Sequence, residues 1–345
     1  MNRRRGSPLG LVALMVALAM TPASASRADP SVWARARDPE VSSQTDLIAK
    51  FDALRAKLEL RRSRGPEGAA LATMYLKEAR RLLEDGRAAT SRDPGLRHRY
   101  GWVLYQLDDH AAALPVLESV ARGNAPAPIR ADALFMLAQC YTTVGRYADQ
   151  VRAYDGALEL QPNPVRRATI LMNRAEAQMA LGDLTSAIDG YRSALSILPG
   201  QLEMVLQGVL AWWSLAVALD RSGDLEEALE HIRIARTYDR LDDRIFNPNV
   251  WTFVPSHDEH YFRALGHWET ARHAELAAAR AEAYGRAIDA WNEYLARAPA
   301  NDPWVVIGRT RHKQCQLERE AFLKRAGGKA KLAASKPPAK ERAKP

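Results

Sequence analysis

The stretch GDLTSAIDGYRSAL at residues 182–195 returns in nearly the same arrangement as GDLEEALEHIRIAR at residues 223–236. Each reads as the second half of a helical hairpin: a turn glycine, then small and bulky apolar residues at helical spacing. Recurrence at this period constrains the fold more than composition does. One helical hairpin cannot bury its own apolar face, so repeated hairpins must stack into an array with a continuous core.

Other copies fit the same lattice. Around Gly145 the chain places Leu134, Leu137, Ala138 and Tyr141 on one side, and Tyr147, Val151, Tyr154, Ala157 and Leu158 on the other, closed by Pro162. Around Gly182 come Leu171, Ala175, Ala187, Tyr191, Ala194 and Pro199. Around Gly223 come Trp212, Leu215, Ala216, Ala228, Ile232 and Ala235. A weaker upstream copy holds Tyr100, Gly101, Leu104, Ala113 and Leu117, with Asp108 where the others carry glycine. A fifth holds Phe262, Leu265, Gly266, Ala287, Trp291, Tyr294 and Pro299, stretched by about nine residues relative to the standard spacing. Small side chains sit where two helix axes cross, Ala175 with Ala187 and Ala216 with Ala228, while glycine permits the turn and proline stops the second helix. The pattern resembles the tetratricopeptide repeat. That resemblance implies an all-α solenoid of helix hairpins forming a right-handed superhelix. The intervals from Gly145 to Gly182 and from Gly182 to Gly223 exceed the usual repeat of about 34 residues, which predicts longer turns or helices between units.

About five units are expected, at residues 94–127, 131–164, 168–201, 209–242 and 259–302, with an aromatic insertion, LDDRIFNPNVWTFVP, at 241–255. A stripe of Leu47, Phe51, Leu54 and Leu58, a break at Arg64-Gly65-Pro66 and a second stripe from Leu71 predict an N-terminal helix pair over 42–93. Residues 303–325 read as a C-terminal capping helix with a polar outer face. Phe246, Trp251 and Phe253 make the insertion too apolar to lie free in solvent. It is expected to fold over an end of the groove, to join the partner site, or to cover a gap in the core.

The ends of the chain follow different rules. Arg3, Arg4 and Arg5 precede an apolar run from Leu9 to Met20 and then Ala23-Ser24-Ala25, the layout of a Sec-type signal peptide over 1–25 with cleavage after Ala25 and a linker over 26–41. An uncleaved anchor is the alternative. Composition rich in Ala and Arg suggests a bacterial source, hence a periplasmic or secreted address without a transmembrane segment in the mature chain. The formal net charge of +8 comes from these ends. From Lys324 to Pro345 eight basic side chains face only Glu341, and residues 26–323 are slightly acidic. A surface that tracks phosphates needs positive charge clustered on the folded body, so no nucleic-acid partner is expected. The basic tail over 326–345 is expected to be disordered, with at most weak contact to an anionic surface. Cys140 and Cys315, far apart in an array, are expected to be buried free thiols.

No phosphate loop, nucleophile elbow or catalytic cysteine signature is present, and no cofactor is implied. The histidine-rich stretch at 253–273 sets His257 and His260 three apart, whereas a zinc helix spaces its histidines four apart with a glutamate after the first. Ser256-x-x-Glu259, just after Pro255, reads instead as a capping box that starts a helix. In tetratricopeptide repeats the first helix of each hairpin faces a concave groove. Carried over copy by copy, the resemblance assigns to that groove Trp102 and Tyr105; Phe135, Gln139 and Thr142; Met172, Asn173, Glu176 and Met179; and Trp213, Val217 and Asp220. Aromatic and methionine side chains there suit an extended or helical apolar segment of a partner, with packing between repeats as the alternative for the bulky ones. The carboxylate grip of chaperone-binding relatives is missing, since Trp102 stands for its first asparagine and Thr169 for its lysine. The expected function is a noncatalytic scaffold or adaptor of the cell envelope that holds another envelope protein. A wall- or glycan-binding module and a metal-dependent enzyme centred on His257 and His260 are the alternatives.

Overall fold

The computed structural model describes residues 39–61, 65–198, 205–239, 244–248, 251 and 253–334, and among these no strand occurs. The expected signal peptide, most of the linker and the end of the basic tail lie outside the described residues. Two helices, α1 (Pro39–Arg61) and α2 (Gly65–Asp85), open the array. Five hairpins follow: α3 (Pro94–Gln106) with α4 (His110–Arg122), α5 (Ala127–Thr143) with α6 (Tyr147–Leu160), and α7 (Pro164–Ala180) with α8 (Leu184–Ile197). The last two are α9 (Val205–Ser222) with α10 (Leu225–Tyr238) and α11 (Asp258–His273) with α12 (Ala277–Arg297); α13 (Val305–Ala334) ends the series. From α3 onward each helix packs on the one before it, and first helices of neighbouring hairpins also meet, α3 with α5, α7 with α9 and α9 with α11. The chain is therefore an all-α solenoid of helix hairpins.

A turn glycine, followed at two places by aspartate, explains how three of the hairpins turn. Gly145, Gly182 and Gly223 take φ of 68°, 81° and 108°, a region that costs glycine nothing. The following residue then donates its backbone N–H five residues back: Arg146 to Tyr141, Asp183 to Gln178 and Asp224 to Leu219, at 2.9–3.0 Å. This is the Schellman closure, and it satisfies a carbonyl that the helix end leaves open. The aspartate next caps the second helix, Asp183 accepting from Ser186 N and Asp224 from Glu227 N. The first hairpin turns identically without glycine: Asp108 adopts φ 58°, Asp109 donates to the Leu104 carbonyl at 3.0 Å, and Asp109 caps α4.

Small residues set the approach of the two helices. Ala175, Ala187, Ala216 and Ala228 are fully buried, and a Cβ at Gly190 would stand 3.0 Å from that of Ala175. The stretch in the fifth unit is absorbed by helix, because α11 runs past Gly266 to His273 and α12 extends over 21 residues. Both cysteines are free and buried, and burial pushes each thiol up to about 12.

The capping box expected at Ser256 and Glu259 does not form. Helix α11 begins there, but its N-cap is His257 without a side-chain cap bond. Glu259 instead accepts from Arg263 Nε at 2.9 Å, one turn along the same helix, a charge-assisted bond that outcompetes a neutral backbone donor. The insertion covers core: Ile245 is fully buried, Phe246 packs edge-on to Trp213 at 5.6 Å, and Phe253 meets Phe262 at 5.1 Å. No helix among the described residues is long and apolar enough to cross a membrane.

Candidate functional site

The first-helix face divides into two parts. Along α3, α5 and α7 it carries Trp102, Tyr105, Phe135, Gln139, Thr142 and Asn173, all partly exposed. Trp102 leans edge-on against Phe51 at 6.1 Å with Arg55 over its ring. Tyr105 tilts against His110, and Phe135 lies between Tyr154 and the Arg166 guanidinium. Gln139 donates to the Tyr154 hydroxyl at 2.6 Å, and Thr142 donates to the Ala138 carbonyl. These contacts anchor the rings, which stay partly exposed.

At α9 the face is closed. Trp213, Val217 and Asp220, assigned to the groove by the resemblance, are fully buried. The insertion covers Trp213 from one side while the Arg236 guanidinium lies over its ring. Asp220 accepts from Tyr261 Oη at 2.5 Å and from Arg311 Nε at 2.7 Å, and Arg311 also donates to the Gly223 carbonyl. Arg311 belongs to α13, so the C-terminal helix reaches back across the end of α9. No partner can touch these three residues without opening the core. Met172 and Met179 are also buried, which leaves Asn173 and Glu176 as the accessible assigned positions on α7.

Between α7, α9 and α11 lies a cavity of about 160 Å³ that is partly open to solvent, its wall residue Val254 being exposed. The insertion supplies Trp251, Phe253, Val254 and Pro255 to its wall, and the α12–α13 connection supplies Asp302, Pro303 and Trp304. Glu176 is surrounded by protein yet keeps accessible surface, because what it faces is this space. Burial and the nearby Asp258 push its carboxyl up to about 7, since desolvation and a like charge both disfavour the anion. Opposite, Arg221 pairs with Asp258 at 2.7 Å, both side chains almost wholly buried, and the guanidinium lies between the rings of Tyr261 and Trp304. Asp302 bonds His257 Nε2 at 2.7 Å and accepts from Tyr294 Oη and Trp304 N. His257 is thus committed to a carboxylate of another element, and no three His, Cys, Asp or Glu side chains among the described residues converge on a point. The resemblance to tetratricopeptide repeats assigned Glu176 to the groove. It could not find the cavity, whose wall includes residues distant in sequence, such as Asp258 and Trp304.

Residues 98–165 match the tetratricopeptide repeat family model. Over 94 residues the chain is 30% identical to the photosystem I assembly protein Ycf3 of Synechococcus elongatus, an alignment that takes in 27% of this chain and 54% of that protein. The chain thus spans about half the length of the curated relatives it matches. Among solved structures, MamA from Desulfovibrio magneticus is 18% identical, covering 54% of this chain and 97% of that one at a TM-score of 0.43. The MamA structure designated MSR-1 C2 is 21% identical, covering 58% and 97%, also at 0.43. The matched segment 98–165 runs from α3 to the start of α7 and contains the Schellman-closed turns at Asp108 and Gly145. With the same turn returning at Gly182 and Gly223 beyond the match, the chain is a tetratricopeptide repeat protein.

Proposed function

We propose that this chain is a noncatalytic scaffold of the bacterial cell envelope that holds an extended or helical segment of another protein. The observation that carries this reading is the run of partly exposed side chains on successive first helices, Tyr105, Phe135, Gln139, Thr142 and Asn173. Partly exposed, anchored aromatic rings suit insertion of a partner's apolar side chains, and the intervening amides and hydroxyl suit its backbone. The family match falls on this same part of the array, and Ycf3 is by name an assembly protein. The signal-like sequence at 1–25 supports the envelope address.

The test is crosslinking and affinity recovery from native envelopes, comparing the wild type with a Tyr105→Ala, Phe135→Ala double variant whose unfolding midpoint is checked first. Specific proteins recovered with the wild type and lost with the variant support the reading. Undiminished recovery with the variant removes this face as the site, and recovery of nothing specific removes the scaffold role. Trp213→Ala is unsuitable, because truncating a fully buried tryptophan costs about 3–5 kcal/mol of stability and confounds any loss of binding.

A further inference from the structure

We infer that the cavity between α7, α9 and α11 is a binding site for a small organic cation, an alkylammonium or quaternary ammonium compound whose charge rests between Glu176 and aromatic walls. The inference stands apart from the scaffold reading, because none of the open-face residues borders the cavity. Three observations carry it, and they concern size, charge and wall chemistry.

The volume is about 160 Å³; a cavity of about 150 Å³ admits a guest the size of benzene, and the open side here gives such a guest a way in. A trimethylammonium or butylammonium group is of that class. The charged groups bordering the space are Glu176, Asp258, Asp302 and Arg221. Asp258 is matched by Arg221, and Asp302 is held by hydrogen bonds with His257, Tyr294 and the Trp304 N–H. Glu176 has neither hydrogen bond nor ion pair among the described residues, and its accessible surface faces the cavity. An ionised Glu176 therefore lacks a counter-charge, and a guest cation supplies it. An anionic guest would meet three carboxylates and one arginine already engaged.

The walls choose the kind of cation. Tyr147, Tyr191, Trp251, Phe253, Phe262 and Trp304 all border the space. Ring faces attract weakly hydrated organic cations through their quadrupoles, whereas a metal ion needs several oxygen, nitrogen or sulfur donors converging on it. One face of Trp304 already carries Arg221 at 4.9 Å, so the same chemistry operates at the rim. The carboxyl of Glu176, held up to about 7 by burial and Asp258, gives the site a proton link. A cation favours the anion and draws the proton off, so binding strengthens as pH rises. The groups facing Glu176 that shape this titration are Tyr147 of α6, Tyr191 of α8, Arg221 of α9, Asp258 of α11 and Asp302 before α13.

The experiment is calorimetric titration of the full chain with choline, and with the alcohol in which carbon replaces choline's quaternary nitrogen. At about pH 8, choline is expected to bind at least tenfold more tightly than the uncharged alcohol, and at least tenfold more tightly to the wild type than to Glu176→Gln. Lowering the pH to about 6 should weaken choline binding to the wild type several-fold and leave the alcohol unchanged. If Glu176→Gln fails to fold, the alcohol and pH comparisons on the wild type decide by themselves. Equal binding of choline and the alcohol reveals an apolar cavity without charge selection and overturns the inference. So does the absence of choline binding, or unaltered binding to a folded Glu176→Gln.

Discussion

Glu176 projects from α7 into a space walled by rings, and its protonation follows from that position. Its folded-state proton is held to about pH 7 instead of the ordinary 4.5, chiefly by burial and then by Asp258. Between those values the unfolded chain binds fewer protons than the folded one, so stability falls as pH rises through the window and levels off above it. Full expression of the shift is on the order of 3 kcal/mol. Urea midpoints of the wild type should therefore decline from about pH 5 to pH 8 more steeply than those of Glu176→Gln, which has no proton to lose. Parallel profiles would show that Glu176 is solvated in solution. Asp220, on the next first helix, is also held above the ordinary carboxylate range by burial, but unlike Glu176 it has partners, Arg311 and Tyr261, that pull it down. Both residues occupy first-helix face positions in the sequence. Periodicity identifies the face, but whether it meets solvent, a cavity or core depends on α13 and the insertion.

At the scale of elements, the hairpin turn is the unit most legible in sequence. Glycine at 145, 182 and 223 marks the left-handed position, and Asp108 stands in the same conformation at φ 58°. Left-handed backbone costs an L-residue about 1–2 kcal/mol, less for aspartate. Asp108→Gly is therefore expected to raise the urea midpoint, by about 0.5 kcal/mol after glycine's extra unfolded-state entropy. Gly182→Ala is expected to lower it by about 1 kcal/mol or more. Matching signs for the two substitutions would show that the turns are not equivalent. The aspartates beside Gly182 and Gly223 cap the following helix, a role readable in hindsight from the recurring Gly-Asp pair, whereas Arg146 beside Gly145 makes no side-chain cap bond. The box at Ser256 and Glu259 misled because a motif of four residues says nothing about Arg263, which claims Glu259 one turn away.

Across the whole molecule the core is divided unequally. One cluster of buried side chains runs unbroken from α7 to α13 and holds Trp213, Trp268 and Trp291. A second joins α3 to α7, while α1 and α2 rest on two small clusters whose only large aromatic core residue is Phe51. In a solenoid each unit is stabilised mainly by its neighbours, so opening free energy tracks local burial. Native-state hydrogen exchange should accordingly show α1 and α2 opening at lower free energy than α9 to α12. Uniform protection along the chain would indicate a single cooperative unit instead. Glu318 of α13 accepts from Trp268, Arg272 and Tyr284, and Arg311 binds Asp220, so the C-terminal half is tied across hairpins as well as between neighbours.

The sequence alone determined what is local and periodic: the helical hairpins, their turns, the small residues at helix crossings, and hence the tetratricopeptide architecture. Those features depend on residues three to forty positions apart, where spacing is itself geometry. Only the tertiary structure decided which part of the first-helix face stays open. The insertion and α13 fold back over α9, burying Trp213, Val217 and Asp220 and walling part of the space before Glu176. Their contacts join positions as far apart as Asp220 and Arg311. Hydrophobic burial is non-directional, so an apolar or amphipathic segment carries no record of the surface on which it will settle.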